Sequence, residues 1–464
     1  MQLWWQLPVP WANNMDKPIC DFVRQYAESN PVRLHMPGHK GNHFLGLEHF
    51  DITEVDGADS LYEAEGIIRK SEENASILFG CPTFYSTEGS SQCIRAMLYL
   101  AMLHGKEHSC RPLILAARNV HKSFLSGCAL LDLDVVWLYP ENSDSYLSCK
   151  ITPKKLEQTL SVMQQKPAAV YLTSPDYLGN LADVSGIAEV CHRYDILLLV
   201  DNAHGAYLRF LQSSQHPMDL GADLCCDSAH KTLPVLTGGA YLHVAPHLGS
   251  MGERVKNALA LFGSTSPSYL ILQSLDAANA CLTGYSDKLS AFILQLKNLK
   301  EALYDRGYVL LGQEPLKITI STKPYGYLGT EFADLLRENN LECEFSDPDF
   351  IVLMFSPENC RKDLRRLCSA LLKIAPKPPI SQAPPLPVPG QAVISIRDAM
   401  LSSSEKRNVS ECKGRILANP SVGCPPAVPI LVCGERIDSA AITCFQYYGI
   451  QSVSVVTENR AAER

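Results

Sequence analysis

Four short apolar runs lie in the first half of the chain, and stretches with helical periodicity separate them. The runs are rich in Val, Ile and Leu, which is typical of strands buried on both faces of a sheet. In SGIAEVCHRY, apolar residues recur at helical spacing behind Ser185, which we predict as the N-cap; Thr152 followed by Pro153 predicts another helix start. The four runs are RPLILAA (111–117), DVVWLY (134–139), AAVYLTS (168–174) and ILLLVD (196–201).

This alternation of strands and helices predicts an α/β fold with a mostly parallel sheet and helices on both of its faces. In such sheets, ligands bind beyond the carboxyl ends of the strands. We therefore expect the loops after Ser174, Asp201 and Ser228 to lie on the functional side of the sheet.

The second half of the chain has a different pattern. Helical and strand-like segments follow one another from KLSAFILQLKNLKEALYDRG onward and predict a smaller α+β domain, and the later PKPPISQAPPLPVPG reads as an extended linker because proline fixes φ and lacks a backbone donor. The predicted units are an N-terminal segment (1–30), a major domain (31–285), a small α+β domain (286–375), a Pro-rich linker (376–390) and a C-terminal domain (391–464).

Composition and charge exclude several classes of function. The chain has 464 residues, 46% of them hydrophobic and 19% charged, with a formal net charge of -8, which argues against a nucleic-acid binder. No apolar run approaches the roughly 20 residues of a membrane span, and the leading MQLWWQLPVPWANN lacks the basic start of a signal peptide. The 17 cysteines form no CxxC pair or metal-ligand spacing, so we expect free thiols, no metal and a cytoplasmic location.

Two polar residues at predicted strand ends point to a cofactor. Lys231 lies in SAHKTLPVLTGGAYLHV (228–244), and Asp201 ends the run LLLVD thirty residues earlier. Taken singly, the lysine could be a solvated surface residue and the aspartate a turn or helix cap. Together they match the needs of pyridoxal phosphate, because an enclosed lysine amine is nucleophilic and a carboxylate keeps the ring nitrogen protonated.

Two further motifs fit the same cofactor. Gly89, Ser90 and Ser91 precede a helical pattern, and such a turn presents N–H groups and a positive dipole end to a phosphate, although it often merely caps a helix. His121, in ARNVHKSFLSG, follows a strand-like run and could stack on a pyridine ring or be an ordinary turn residue.

Taken together, HMPGHKG (35–41), NVHKS, DNAHG and SAHKTLP resemble the prokaryotic Orn/Lys/Arg decarboxylase family, pyridoxal-phosphate enzymes of the aspartate-aminotransferase fold (fold type I). The tail, with SIRDAM and GRILANPSVGCPPAVPILVCGERI, is similar to the family's C-terminal domain. The resemblance implies a homodimer or higher homo-oligomer that acts on a small amino acid, and a short form without the family's wing domain.

The resemblance also implies roles for individual residues. Lys231 would bind the cofactor covalently, Asp201 would pair with its ring nitrogen, His121 would stack above the ring with Ala203 beneath it, and Lys231 or His230 would return a proton to Cα. The implied catalytic residues are Lys231, His230, His121 and Asp201; the phosphate-binding residues are Ser90, Ser91, Ser228 and His230; the substrate residues are His204, Thr173, Ser174 and, for the distal cation, Glu435.

Several positions depart from the family pattern without removing the lysine, the aspartate or the histidine. They bear on the substrate more than on the cofactor, and the carboxylate of Asp176 could either favour a cationic substrate or cap a turn. The departures are Asn202, Asp176, Gly238, Glu88, Ile94, Ala427 and Cys433.

The resemblance implies decarboxylation of lysine, arginine or ornithine to the corresponding amine and carbon dioxide. Two alternatives stay open: another pyridoxal-phosphate reaction on the same fold, such as transamination or β-elimination, and a non-catalytic regulatory relative. The sequence alone does not choose among the three basic amino acids.

Overall fold

The fold is described by a computed structural model that covers residues 15–107, 113–141, 145–386, 390–420 and 426–457. The Trp-rich N-terminus discussed above lies outside these residues. In chain order, the helices of the described part are α1 (Pro18–Glu28), α2 (Ile67–Phe79), α3 (Gly89–Glu107), α4 (Lys122–Leu131), α5 (Pro153–Val162), α6 (Val184–Arg193), α7 (Ala229–Thr232), α8 (Gly252–Phe262), α9 (Tyr269–Leu282), α10 (Tyr285–Asp305), α11 (Gly329–Glu338), α12 (Arg361–Lys373), α13 (Ile396–Leu401) and α14 (Ser439–Tyr447).

The strands form a large, a small and a two-stranded sheet. The large sheet has the order β1-β7-β6-β5-β4-β2-β3, and its neighbours pair in parallel except at β7. The strands are β1 (Thr83–Ser86), β2 (Leu113–Ala117), β3 (Asp134–Leu138), β4 (Ala169–Thr173), β5 (Leu197–Asp201), β6 (Leu224–Asp227), β7 (Ala240–Val244), β8 (Val309–Leu311), β9 (Lys317–Ser321), β10 (Phe345–Ser346), β11 (Phe350–Met354), β12 (Ser404–Asn408) and β13 (Ser452–Val456).

The predicted α/β architecture is confirmed, because the four apolar runs form β2 to β5 in one mostly parallel sheet. The sequence of β5 does not alternate between apolar and polar residues, and the packing of its two faces explains why. Leu199 packs into the core on the face of α3 and α4, whereas Leu198 and Val200 pack on the opposite face against α5 and α6. Both faces of the strand are therefore covered by helices, and every position before the terminal Asp201 is apolar.

The predicted helix starts have different outcomes. Thr152 is the N-cap of α5, its hydroxyl accepts from the N–H of Lys155, and Pro153 occupies the first turn, as predicted. The prediction of Ser185 as an N-cap is wrong. Helix α6 begins at Val184, and the carboxylate of Asp183 caps it by accepting from the N–H of Gly186 at 3.0 Å.

The second half of the chain adds the small sheet, in the order β10-β11-β9-β8, and the tail hairpin of β12 and β13. Residues 376–386, the main described part of the predicted linker, contain no helix or strand. This stretch still lies against the small domain, since the N–H of Ile380 donates to the Lys323 carbonyl and the Lys323 ammonium donates to the Gln382 carbonyl. None of the described helices is long and apolar enough to cross a membrane.

The parallel register brings polar residues to one edge of the large sheet. Thr173 at the end of β4 lies opposite Asp201 at the end of β5, which in turn lies opposite Cys226 near the end of β6. The loops that follow these strands therefore converge, as expected for a ligand site in a sheet of this kind.

We expect Leu199→Ala to destabilise the protein, because Leu199 is fully buried in the central strand that carries Asp201. Removing a buried leucine side chain costs about 2–5 kcal/mol, which urea denaturation measures. The matched control is Leu294→Ala on α10, where the side chain is 60% exposed; its cost should stay within about 0.5 kcal/mol. Equal costs for the two variants would contradict this account of the core.

Candidate active site

A cavity lies at the convergent edge of the large sheet. It brings together six of the residues that the sequence singled out, although they are far apart in the chain: His121, Thr173, Asp201, Ala203, His204 and Lys231. Its lining residues are Asn119, His121, Thr173, Pro175, Tyr177, Asp201, Ala203, His204, Lys231, Glu344, Pro426 and Val428.

Asp201 is a buried carboxylate held in a fixed orientation. It is 2% exposed; one of its oxygens accepts from the Ala203 N–H at 3.2 Å and the other from the Tyr171 hydroxyl at 3.2 Å. Burial raises the pKa of Asp201, and the positive charge of Lys231 opposes that rise. A cationic ring nitrogen beside this carboxylate would further favour its charged form.

Lys231 lies in the short helix α7, directly after β6, and contacts a histidine. Its Nζ is 2.9 Å from Nε2 of His204, and Nδ1 of the same ring is 3.0 Å from Nζ of Lys317. Burial, together with the charges of Lys231 and Lys317, holds the pKa of His204 well below its ordinary value. His204 is therefore a neutral imidazole between two lysines.

His121 is the N-cap residue of α4, and its Nδ1 accepts from the N–H of Ser123 at 3.1 Å. Burial, with the charges of Lys231 and Lys122, lowers the pKa of His121 to about 3. The ring is therefore uncharged at neutral pH, and its position in the wall of the cavity suits stacking on an aromatic ring.

The predicted phosphate site lies at the N-terminus of α3. The Ser228 hydroxyl donates to the Ser90 hydroxyl at 2.8 Å, and the hydroxyls of Ser91 and Ser123 lie 2.7 Å apart. Gly89, the first residue of α3, has a φ of 70°, a left-handed conformation that favours glycine. Hydroxyls and a helix N-terminus in one place are a suitable set of groups for a phosphate.

Asn119 is a residue that the sequence reasoning missed. It is 2% exposed, lies in the cavity wall, and its Oδ1 has no hydrogen-bond partner among the described residues. A buried polar atom without a partner at a cavity wall is best explained by a bound ligand. With the carboxylate, the lysine, the neutral imidazoles and the serine hydroxyls, it completes a set of groups that fits pyridoxal phosphate. Its only signal in the sequence is its place beside His121 in the NVHKS motif.

Besides Ser90, Ser91 and Ser228 of the phosphate site, three of the predicted residues lie outside the cavity lining. The Ser174 hydroxyl accepts from the Ala182 N–H at 3.0 Å, and its neighbour Thr173 faces the cavity instead, since successive strand residues point to opposite sides. Nδ1 of His230 lies 3.0 Å from the Gly239 carbonyl oxygen and donates its N–H to that oxygen.

Glu435 is the third of these residues, and its carboxylate already has partners. It pairs with Arg118 at 3.3 Å and accepts from the N–H of Val432 at 2.8 Å. It is 3% exposed, so it ties the C-terminal tail to the end of β2. The tail contributes Pro426 and Val428 to the cavity instead.

A second carboxylate, besides that of Asp201, lines the cavity. It belongs to Glu344, just before β10 in the small domain. The Tyr177 hydroxyl, also at the cavity, donates to Glu344 Oε1 at 2.9 Å. Nothing in the local sequence marks Glu344, because it follows no apolar run at the end of the large sheet and reaches the site only through the packing of the two domains.

Three of the family departures, at Asp176, Gly238 and Asn202, have structural explanations. The Asp176 carboxylate caps a turn by accepting from the N–H groups of Leu178 and Asn180, so the turn-cap alternative holds. At Gly238, where φ is 99°, a Cβ would lie 2.9 Å from the Thr87 carbonyl oxygen, so any other side chain would be strained.

Asn202 belongs to a buried polar group beneath the site. Its Nδ2 donates to Asp227 Oδ1 at 2.7 Å, and the Nε2 atoms of His216 and His243 lie 3.0 and 3.1 Å from Oδ2 of the same carboxylate. Although burial opposes it, the two histidines hold the pKa of Asp227 well below its ordinary value. A charged Asp227 thus fixes the end of β6 to the loop that follows Asp201.

Comparison with known proteins shows the family of the chain. The model of the Orn/Lys/Arg decarboxylase major domain matches residues 17–304. The chain is 30% identical to an arginine decarboxylase of Bacillus subtilis, over 92% of both chains, and 30% identical to one of Halalkalibacterium halodurans, over 90% of this chain and 91% of that protein.

Solved structures show the same fold. A lysine decarboxylase of Francisella novicida superimposes with a TM-score of 0.78 at 18% identity, covering 96% of this chain and 82% of that one. The serine palmitoyltransferase of Sphingomonas wittichii superimposes with a TM-score of 0.55 at 14% identity, covering 75% and 82% of the two chains.

The fold and the groups around Lys231 thus define a fold type I enzyme that uses pyridoxal phosphate, an amino-acid decarboxylase. The chain belongs to the Orn/Lys/Arg decarboxylase family. Membership supports decarboxylation of a basic amino acid as the reaction.

We predict that Lys231→Ala abolishes covalent binding of the cofactor, because no amine then remains at this position to bond its aldehyde. The measurements are the yellow absorbance of the purified protein and its intact mass after borohydride reduction. Lys122→Ala, beside His121, is the matched control and should retain both signals. A yellow, mass-shifted Lys231→Ala protein would mean that another lysine binds the cofactor.

Proposed function

We propose that the protein decarboxylates arginine, in preference to lysine and ornithine. The observation that carries the proposal is the cavity in which Lys231, Asp201 and His204 meet a second carboxylate, Glu344. The choice of arginine is further supported by two curated relatives of similar length that are named arginine decarboxylases.

The cofactor, when bound, supplies the electron sink for the bond that breaks at the substrate's α-carbon. The residues of the chain hold and orient the participants. The buried carboxylate of Asp201 keeps a ring nitrogen protonated, the neutral ring of His121 offers a stacking face, and Ser90 and Ser228 present hydroxyls to a phosphate.

The cavity wall also controls orientation and water. Loss of carbon dioxide requires the α-carboxylate to stand perpendicular to the conjugated plane, so the substrate must be held in one pose. Pro175, Tyr177 and Val428 supply apolar surface that excludes water around that pose. We assign the return of a proton to Cα to the amine of Lys231, since Nδ1 of His230 is engaged with the Gly239 carbonyl outside the lining.

The distal cation of the substrate is assigned to Glu344 instead of Glu435. The Glu435 carboxylate pairs with Arg118, whereas Glu344 lines the cavity and is oriented by the Tyr177 hydroxyl. A guanidinium can donate two parallel hydrogen bonds to one carboxylate, which an ammonium cannot. This geometry is the physical reason to rank arginine first.

The test of the proposed function is product analysis with a panel of amino acids. The purified protein with added pyridoxal phosphate is expected to release carbon dioxide and an equal amount of agmatine from arginine, and less product from lysine and ornithine. Lys231→Ala serves as the blank. A keto acid without carbon dioxide would favour transamination, and no turnover of any amino acid would favour the non-catalytic alternative.

We predict that Glu344→Gln weakens use of the best substrate. Loss of a charge-assisted contact costs about 1.5–3 kcal/mol, so kcat/KM should fall roughly 10- to 100-fold, mainly through KM. The matched control is Glu342→Gln, two residues away, with a side chain 79% exposed, which should leave kinetics unchanged. Equal kinetics for Glu344→Gln and the wild type would exclude this carboxylate as the partner of the cation.

A further inference from the structure

A row of four polar groups runs from the lysine of the active site into the small domain. It begins with the 2.9 Å contact between Lys231 Nζ and His204 Nε2, continues with the 3.0 Å contact between His204 Nδ1 and Lys317 Nζ, and ends at Glu314, whose Oε2 is 2.7 Å from Lys317 Nζ. The side chains of Lys317 and Glu314 are 1% and 0% exposed, so both charges are out of water.

The number of hydrogens in this row restricts the protonation states. A neutral imidazole has one N–H and one lone pair, so it accepts from one neighbour and donates to the other. His204 is neutral, as its burial and the adjacent charge of Lys317 require. Of Lys231 and Lys317, therefore, one donates to the ring and the other accepts from it, and the acceptor must be an uncharged amine.

Lys317 is the donor of the two. It forms an ion pair with Glu314, and its Nζ also donates to the backbone carbonyl of Asp176 at 3.3 Å. An ammonium has three hydrogens, which serve these two oxygens and His204 Nδ1. The ring hydrogen of His204 then lies on Nε2, the nitrogen that faces Lys231.

We propose that Lys317 fixes the tautomer of His204, so that the Nε2–H of the ring donates to Lys231 and holds it as a neutral amine. Lys317 and its partner Glu314 are thus positioning residues, and His204 transmits their effect. A neutral amine is the form of lysine that attacks an aldehyde. The inference rests on the proposed role of Lys231 as the cofactor lysine, and it is independent of which substrate the enzyme uses.

Other charges face the same groups and could affect the same lysine. The titratable groups that influence His204 or Lys231 are His121, His230, Asp201 and Lys317. A purely Coulombic influence of the buried ion pair is therefore the competing explanation, and the test must separate it from tautomer control.

Glu314→Gln tests the two explanations when it is made with and without the His204 ring. Burial raises the pKa of the Glu314 carboxyl and Lys317 opposes this, so each charge depends on the other. Without the carboxylate, the buried ammonium loses its counter-charge and gives up its proton. The ring then no longer has to donate to Lys231, which holds its proton more tightly. Loss of the Lys317 charge acts in the same direction by Coulombic repulsion alone, whether or not the imidazole is present. Under tautomer control, however, the effect disappears in a His204→Phe background, because a phenyl ring forms no hydrogen bond to either lysine.

The experiment follows the bonding of the cofactor by the full-length protein after the cofactor has been removed with hydroxylamine. Stopped-flow absorbance at saturating pyridoxal phosphate gives the rate of bonding across pH. The pH midpoint of that rate is the pH at which half of the Lys231 side chains are neutral amines. The variants are Lys317→Met and Glu314→Gln, each made in the wild-type protein and in His204→Phe. The control is Lys323→Met. It breaks a comparably buried ion pair, in which Lys323 Nζ lies 2.7 Å from Asp349 Oδ1, and neither residue lines the cavity.

We expect both Lys317→Met and Glu314→Gln to raise the midpoint by at least about one pH unit, which slows bonding roughly tenfold at neutral pH, while Lys323→Met leaves it unchanged. A lower or unchanged midpoint in Glu314→Gln would overturn the proposal, as would an equal shift in Lys323→Met or a shift of the same size when His204→Phe is the background. If Lys317→Met does not fold, the near-isosteric Glu314→Gln decides alone in the two backgrounds. Normal bonding without any decarboxylation would refute the proposed function and leave this inference intact.

Discussion

The structure depends on one buried carboxylate, Asp201, which shares a water-poor cavity with the amine of Lys231. A buried carboxylate is unfavourable unless hydrogen bonds compensate its lost hydration. The parallel register of β4, β5 and β6 brings the Tyr171 hydroxyl to this carboxylate, and it brings the helix that carries Lys231 to the same cavity. Helices on both faces of the sheet keep water away, so the fold and the electrostatics of the site require one another.

Around that pair, the site uses uncharged rings between fixed charges. His121 and His204 are both kept neutral by burial and by nearby lysines, and each ring has a nitrogen committed to a definite neighbour. A neutral imidazole can stack on another ring, or it can accept a hydrogen bond at one nitrogen and donate one from the other. It does so without adding a charge to a cavity that already holds several. Beneath it, the charge of Asp227 is balanced separately by histidines and Asn202, which isolates the support of the site from its chemistry.

The sequence predicts those features that depend on local order. Apolar runs predict the strands, and a polar residue at the end of a run predicts a place at the sheet edge, which is how Asp201 was found. Local order does not predict contacts between distant segments. Glu344 and Lys317 lie in the small domain and reach the site only through tertiary packing.

The differences between the predicted residues and the observed cavity lining have equally local causes. Ser174 directly follows Thr173, the last residue of β4, and a shift of one residue exchanges a cavity-facing side chain for one that faces away. Glu435 was recognised by its motif, but a motif does not show that Arg118 already pairs with it. The fold was therefore more predictable than the substrate end of the cavity.

The cavity wall joins three regions of the chain: the large sheet, Glu344 of the small domain, and Pro426 and Val428 of the tail. The N–H of Lys122, beside His121, also donates to the carbonyl of Ala427 in the tail. During synthesis, Lys231 leaves the ribosome about two hundred residues before the last part of its enclosure exists. Until these tail residues have been synthesised, the reactive lysine therefore lies in an incomplete pocket. Tight retention of the vitamin-derived coenzyme requires the tail.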